Sequence, residues 1–195
     1  MGETTAIIII TISLACSYVL INLSKTDMTV ETRGNVEYMV QNLDDKEEAV
    51  DLLDQVQKRI VYFRSYLKQN ESTYVPEYQT YVNRLCNGVS GMKLKENPPD
   101  GKATSFTLNK GEEMALCLRQ KGTHEIHDIN LLMYVVIHEL SHIACPELHH
   151  TPLFKQIFVF MLKQARNAGV YIPKNYRMNP EVYCGMTINE HLVDL

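Results

Sequence analysis

The chain has 195 residues and a formal net charge of −4 at pH 7, which is enough length for one globular domain and a smaller extra segment. It contains no block of basic residues, so its charge gives no indication of binding to nucleic acid through the phosphate backbone.

The N-terminal segment, residues 1–25, has the features of a transmembrane anchor. Residues 4–24 carry no charged side chain and include the apolar run AIIIITI, which begins at Ala6. The stretch is long enough to cross a bilayer. Glu3 stands where a cleaved signal peptide has basic residues, and no clear small-x-small cleavage site follows. We therefore predict an uncleaved single-pass transmembrane helix, and the length of the segment argues against a buried strand or helix.

The sequence gives conflicting signals about the side of the membrane. Lys25 and Arg33 follow the span and no side-chain cation precedes it, which favours a cytoplasmic position for the folded domain. The membrane is predicted to be that of the host or of the virion. Asn70 begins a glycosylation sequon, which is usable only in a lumen. The spacing of the cysteines outside the anchor fits neither a zinc finger nor a disulfide framework, so they are either reduced or form two disulfides. These cysteines are Cys86, Cys117, Cys145 and Cys184.

After the anchor we predict a linker over residues 26–43 and a folded domain over residues 44–195. Apolar residues at three- and four-residue steps predict helices over residues 44–68 and 76–85. Residues 87–102 are rich in Gly, Pro and Asn, which predicts a loop.

The second half of the domain begins with a predicted hairpin. Residues 105–108 and 114–118 are short strand-like runs, and the sequence NKG at residues 109–111 predicts a turn between them. A later helix is predicted to begin at Pro152 and to end before Gly169, and the tail after it is predicted to be irregular.

The most informative feature is the sequence HELSH at residues 138–142, within a helix-like apolar run over residues 129–144. Four residues on a helix turn through about 400°, so both histidines lie on one face and can bind a single metal ion. Glu139 projects about 100° to the side, where it can reach a metal-bound water as general base. A third ligand is available at His149 or His150. The pattern indicates a catalytic zinc site.

The element order, with a hairpin, a metal-binding helix and a closing helix, is that of a zincin-like α+β domain. In such domains an edge strand beside the metal commonly pairs with an extended peptide. The candidate for this substrate strand contains Met114, Leu116 and Leu118, and an ordinary core strand is the alternative.

The motif, together with the sequence HTPLF that begins at His150, resembles the WLM and SprT-like metallopeptidases over roughly residues 105–168. The resemblance implies one Zn²⁺ per chain held by His138, His142 and His150, with Phe154 packed into the next helix.

The sequence YCGM at residues 183–186, near the end of the chain, resembles a closing motif in metallopeptidase-like proteins of large DNA viruses. This second resemblance implies that Met186 lies beneath the metal. Members of the superfamily can cleave proteins crosslinked to DNA, a substrate that the charge of this chain does not support.

We therefore predict a membrane-anchored zinc metallopeptidase with a protein or peptide substrate, in which Glu139 accepts the proton of a metal-activated water. Six residues are candidates for an oxyanion donor or for a group that supports the metal ligands from outside the coordination shell. They are Tyr183, Arg119, His127, His149, Asp128 and Glu147. The alternatives are a zinc hydrolase of non-peptide amides, and a non-catalytic single-pass membrane or virion protein with a degenerate metal motif.

Overall fold

The computed structural model describes residues 28–99, 101, 104–190 and 192. The predicted transmembrane anchor, residues 1–25, lies outside this part of the chain. Among the described residues, no helix combines the length and the apolar character that crossing a bilayer requires.

The domain begins with a hairpin that the sequence did not predict. Strands β1 (Met28–Arg33) and β2 (Val36–Gln41) pair antiparallel along their full length. Tyr38 and Val40 are fully buried on the inner face of β2. The predicted linker over residues 26–43 is therefore wrong over these strands, because the hairpin contributes to the core and extends the sheet.

Two helices follow, and both were predicted. Helix α1 (Lys46–Gln69) is joined by a short 3₁₀ turn (Glu71–Thr73) to helix α2 (Pro76–Gly88). The side chains that recur at three- and four-residue steps on α1 are buried. These residues are Ala49, Leu52, Leu53, Val56, Ile60, Phe63 and Leu67. Helix α1 packs against the first three strands of the sheet.

Three further strands complete a five-stranded mixed sheet. They are β3 (Lys93–Glu96), β4 (Ser105–Leu108) and β5 (Glu113–Leu116). The strand order is β1-β2-β3-β5-β4, with parallel pairs β2–β3 and β3–β5 and an antiparallel β4–β5 hairpin. The predicted loop over residues 87–102 is thus wrong at β3. The charged residues of this segment gave no strand signal in the sequence, although Leu94 is buried.

Strand β5 has partners on both sides, so the predicted substrate strand is wrong. Leu94 of β3 pairs with Met114, and Ser105 of β4 pairs with Leu116. Met114, Leu116 and Leu118 are fully buried. Strand β5 is the core strand of the alternative interpretation, and the edge strand on this side of the sheet is β4.

The turn between β4 and β5 is packed tightly against the helices. Asn109 and Lys110 adopt positive φ angles of 47° and 55°, and Gly111 has φ 116°. A Cβ atom on Gly111 would lie 2.4 Å from the carbonyl oxygen of Gly88 at the end of α2. The predicted turn is confirmed, and its glycine is required by this close approach.

Helices α3 (Ile129–Ala144) and α4 (Pro152–Asn167) pack against each other, and α3 also contacts α2 and β4. Both helices were predicted. The tail is not irregular throughout, because β6 (Glu181–Tyr183) and β7 (Met186–Ile188) form a separate two-stranded sheet. The α+β class is confirmed.

Candidate active site

Three histidine side chains converge on one point. Their Nε2 atoms are 3.2 Å apart between His138 and His142, 3.2 Å between His142 and His150, and 2.9 Å between His138 and His150. Among the described residues, these form the group of side chains that could hold a metal ion. His149 has a positive φ of 65° and lies outside the cluster.

The local fold explains how the three side chains meet. His138 and His142 lie one turn apart on α3, and His150 lies in the connection to α4. Thr151 ends that connection as the N-cap of α4, where its hydroxyl oxygen accepts a hydrogen bond from the backbone N–H of Phe154. The cap fixes the direction in which the chain enters α4 and so brings His150 back over α3.

Phe154 forms the floor of the histidine cluster. Its ring stacks on His142 at 4.1 Å between centroids and lies 5.0 Å from both His138 and His150. The side chain is 2% exposed. Phe154 therefore occupies the place that the resemblance gave it, whereas Met186 is 53% exposed and cannot be the hydrophobic floor.

The cluster fits a tetrahedral metal ion. Ligand nitrogens about 2.05 Å from a tetrahedral zinc lie about 3.3 Å from one another, close to the separations seen here. Burial, and to a smaller extent the charges of the neighbouring histidines, lowers the pKa of His138 to about 3 and that of His142 to about 4. Both imidazoles are thus neutral at physiological pH, as metal binding requires.

Glu139 lies beside the cluster in the same cleft as His138 and His150. Its side chain is on α3 and is 8% exposed. Burial raises the pKa of its carboxyl group to about 7. A carboxyl group with a pKa near neutrality can both accept and donate a proton, which is what a general acid–base residue does.

Tyr183 reaches the cleft from β6, but its hydroxyl group already has partners. It shares a hydrogen bond of 2.6 Å with the Ser105 hydroxyl and accepts one of 3.1 Å from the Cys117 backbone N–H. Burial raises the pKa of Tyr183 above its usual range. Through these contacts the Tyr183 hydroxyl holds β6 against β4 and β5, and donation to an oxyanion would require its proton to point away from Ser105.

Three other predicted support residues have structural roles away from the cluster. Asp128 caps α3 by accepting hydrogen bonds from the backbone N–H groups of Asn130 and Leu131, about 15 Å along the helix from His138. The Arg119 guanidinium is buried in ion pairs. His127 accepts a hydrogen bond from the Cys184 backbone N–H.

The Arg119 guanidinium has two carboxylate partners. They are Glu96 of β3 and Asp45, which directly precedes α1. Both carboxylates neutralise the guanidinium, so Arg119 joins β3 to the start of α1 and is not available to an oxyanion.

A disulfide bond joins Cys117, just after β5, to Cys184, in the turn between β6 and β7. Cys86 and Cys145 are free and buried. The sequence left open either reduced cysteines or two disulfides, and these four cysteines form one disulfide and leave two free thiols. The bond attaches the β6–β7 hairpin covalently to the main sheet beside the Tyr183 hydroxyl.

The cleft beside Glu139 has a volume of about 440 Å³. Sequence reasoning missed most of its lining, including Tyr134, Val135 and Phe158. A signal for two of them exists, because Tyr134 and Val135 precede His138 by four and three residues and so share its helix face. The residues of β7 that line the cleft have no comparable signal in the sequence.

The fold and the site define an α+β protein with a candidate three-histidine metal centre. No family model matches the chain. It is 47% identical over 169 residues to "Uncharacterized protein R325" of Acanthamoeba polyphaga mimivirus, a match that covers 87% of this chain and 83% of that protein. The chain belongs to the family of this mimivirus protein.

Two other viral proteins match over shorter segments. Invertebrate iridescent virus 6 has "Uncharacterized protein 136R", 38% identical over 87 residues, which cover 44% of this chain and 46% of that protein. Invertebrate iridescent virus 3 has "Uncharacterized protein 042R", 40% identical over 70 residues, which cover 36% of this chain and 43% of that protein.

Among solved structures, the chain is similar to Wss1 from Saccharomyces cerevisiae. The TM-score is 0.49 with 20% sequence identity, over 67% of this chain and 87% of that one. A Wss1 mutant from the same organism gives a TM-score of 0.48 with 19% identity, over 68% of this chain and 92% of that one.

Proposed function

We propose that the chain is a zincin-like, zinc-dependent metallopeptidase. The observation that carries the proposal is the convergence of the three Nε2 atoms of His138, His142 and His150 beside the cleft that Glu139 lines. Three neutral imidazoles leave a fourth tetrahedral position for water, which distinguishes a catalytic zinc site from a closed structural one.

Each residue of the site has a distinct role in the proposed reaction. His138, His142 and His150 hold the ion, which when bound lowers the pKa of its water toward about 7 and polarises the scissile carbonyl. Glu139 accepts the proton of the attacking water and delivers it to the leaving amine nitrogen. Phe154 keeps the three imidazoles in register by packing against all of them.

A peptide substrate is supported by the position of β4. Among the described residues β4 pairs with β5 alone, so its outer edge has free backbone groups. Thr104, which directly precedes β4, lines the cleft with His138 and Glu139. We propose that the substrate backbone pairs with β4, in place of the strand that the sequence suggested.

We also propose that the protein is viral and is held at a host or virion membrane by residues 1–25. Its family relationship to the mimivirus protein supports a viral origin. The disulfide between Cys117 and Cys184 favours an oxidising compartment for the domain, against the cytoplasmic side that the flanking cations favoured.

The test is metal content and peptide hydrolysis of the full-length chain, measured beside Glu139→Gln. We expect about one zinc per chain in both proteins, and a loss of hydrolysis of about 100-fold or more in the variant, the usual contribution of a general base. Undiminished hydrolysis in Glu139→Gln would refute the mechanism, and the absence of stoichiometric zinc in the unaltered chain would refute the metallopeptidase itself.

A further inference from the structure

We propose that the cleft beside Glu139 is a subsite for one bulky apolar side chain next to the scissile bond, and that Val135 and Ile188 set the size it accepts. The inference rests on the proposed peptidase function and adds to it the class of substrate residue that the enzyme selects.

The floor of the subsite is apolar and touches the candidate metal ligands. Val135 and Tyr134 lie one helical turn before His138 on the same face of α3, and both line the cleft. They are 9% and 8% exposed. The Phe158 ring of α4 lies 5.3 Å from Tyr134 and 5.1 Å from His138 between centroids. A side chain on this floor would therefore lie directly beside the reacting carbonyl.

The opposite wall comes from the C-terminal hairpin and the residues after it. Ile188 of β7 and Leu192 line the cleft and are partly buried against the core. Met186, more than half exposed, stands at the rim. The cleft thus has apolar residues at its base, on one side and at its mouth, contributed by three separate elements.

Apart from the buried Glu139 beside the metal ligands, the charged residues of the cleft are exposed and of opposite sign. Lys155 and Glu190 both line the cleft and are both exposed. Solvated charges of opposite sign do not favour a charged substrate side chain, and a charge on the apolar floor would lose its hydration without a partner.

The volume is sufficient for a large side chain. At about 440 Å³ the cleft lies within the range of about 300–1,000 Å³ that is typical of ligand pockets. A substrate with leucine or phenylalanine at this position would fill it, whereas glycine or alanine would leave it to water. Hydrophobic pockets of this kind distinguish side chains by about 10–200-fold for each methylene group.

The experiment uses full-length chain and a peptide series that varies one residue at a time on each side of the cleaved bond. Cleavage rates are measured with the unaltered enzyme. Equilibrium binding of the same peptides is measured with the zinc-loaded Glu139→Gln variant, so that selectivity is read without turnover. We expect leucine or phenylalanine to exceed alanine by about 10-fold or more, and aspartate and lysine to be disfavoured, at one position in both measurements.

Two substitutions test which residues form the subsite. Val135→Phe fills the floor of the subsite, and Ile188→Phe fills the subsite from the opposite wall, where the side chain is only partly buried. Each should reverse the preference from leucine to alanine and leave the zinc content unchanged. Val61→Phe is the matched control, because Val61 is 54% exposed on α1 and does not line the cleft.

The two proposals fail in different ways. Hydrolysis with no side-chain preference, or a preference that survives both Val135→Phe and Ile188→Phe, would overturn the apolar subsite and leave the peptidase intact. Apolar-selective binding with no hydrolysis by the zinc-loaded enzyme would overturn the peptidase and still support the subsite.

Discussion

Replacing both Cys117 and Cys184 with alanine should destabilise the domain substantially. The two residues are separated by 67 positions in the sequence, so their disulfide closes a long loop that contains α3 and α4. Breaking the bond returns conformational freedom to that loop in the unfolded chain. It also removes the covalent attachment of the β6–β7 hairpin to the end of β5.

The size of the effect follows from the length of the loop. The chain-entropy relation for a closed loop of this size gives about 4 kcal/mol at 25 °C. For a protein of 150–250 residues, each kcal/mol lowers Tm by about 2–4 °C, so the double variant should melt roughly 8–16 °C below the unaltered chain. One kcal/mol is already a large fraction of the stability of a typical domain.

The assay is thermal unfolding of the full-length protein followed by circular dichroism, with and without dithiothreitol. Reductant should lower the Tm of the unaltered protein to that of Cys117→Ala/Cys184→Ala and should leave the double variant unchanged. Cys86→Ala/Cys145→Ala is the control, because both of these thiols are free. This control variant should still lose Tm when reductant is added. A shift below about 2 °C on both reduction and substitution would refute the loop-closure reasoning.

Two further predictions concern the metal ligands and the tight turn. His150→Ala should lower zinc affinity by at least about 100-fold, which exceeds the usual effect of residues outside the coordination shell, and His149→Ala should lower it by less than about 10-fold. Competition with a chromophoric chelator measures both affinities. A larger loss in His149→Ala than in His150→Ala would reassign the third ligand. Gly111→Ala should destabilise the fold by about 2–4 kcal/mol, because its Cβ would meet the Gly88 carbonyl oxygen at 2.4 Å and its φ is 116°. An unchanged urea midpoint would contradict this contact.

The four helices could be predicted from the sequence because each has strong local signals. Periodic apolar residues identify the buried face of α1, Asp128 caps α3, and Pro152 and Gly169 bracket α4. Such signals act within one or two turns of the chain. They do not depend on what the helix packs against, so they can be recognised before the fold is known.

The strand at Lys93–Glu96 was missed because it has one apolar residue and its partners lie far away in the sequence. The hairpin of Met28–Arg33 and Val36–Gln41 had a local signal that was overlooked, because Gly34 and Asn35 form a typical two-residue turn between the two strands. Glu96 illustrates the difficulty. A glutamate is not a residue that predicts a buried strand, yet Glu96 ends β3 and is fully buried in an ion pair with Arg119. Its stability in the core depends on a residue 23 positions away.

The misplaced substrate strand had a signal that could have corrected it. The run from Met114 to Leu118 is continuously apolar, and strands buried on both faces have this pattern, whereas edge strands alternate. The histidine cluster, in contrast, could be predicted in full. His138 and His142 follow from helix geometry and His150 from the resemblance, whereas the pairing of Cys117 with Cys184 could not be deduced from spacing.

The strand order also places the start of the described chain and the cleft at opposite edges of the sheet. The described chain begins with β1, and the cleft lies beside β4, at the other edge of the same sheet. Four interstrand spacings separate these edges, a distance of about 19 Å. A peptide paired with β4, as proposed above, would therefore lie at the edge opposite β1. The anchor proposed for residues 1–25 would leave the β4 edge open to a large substrate.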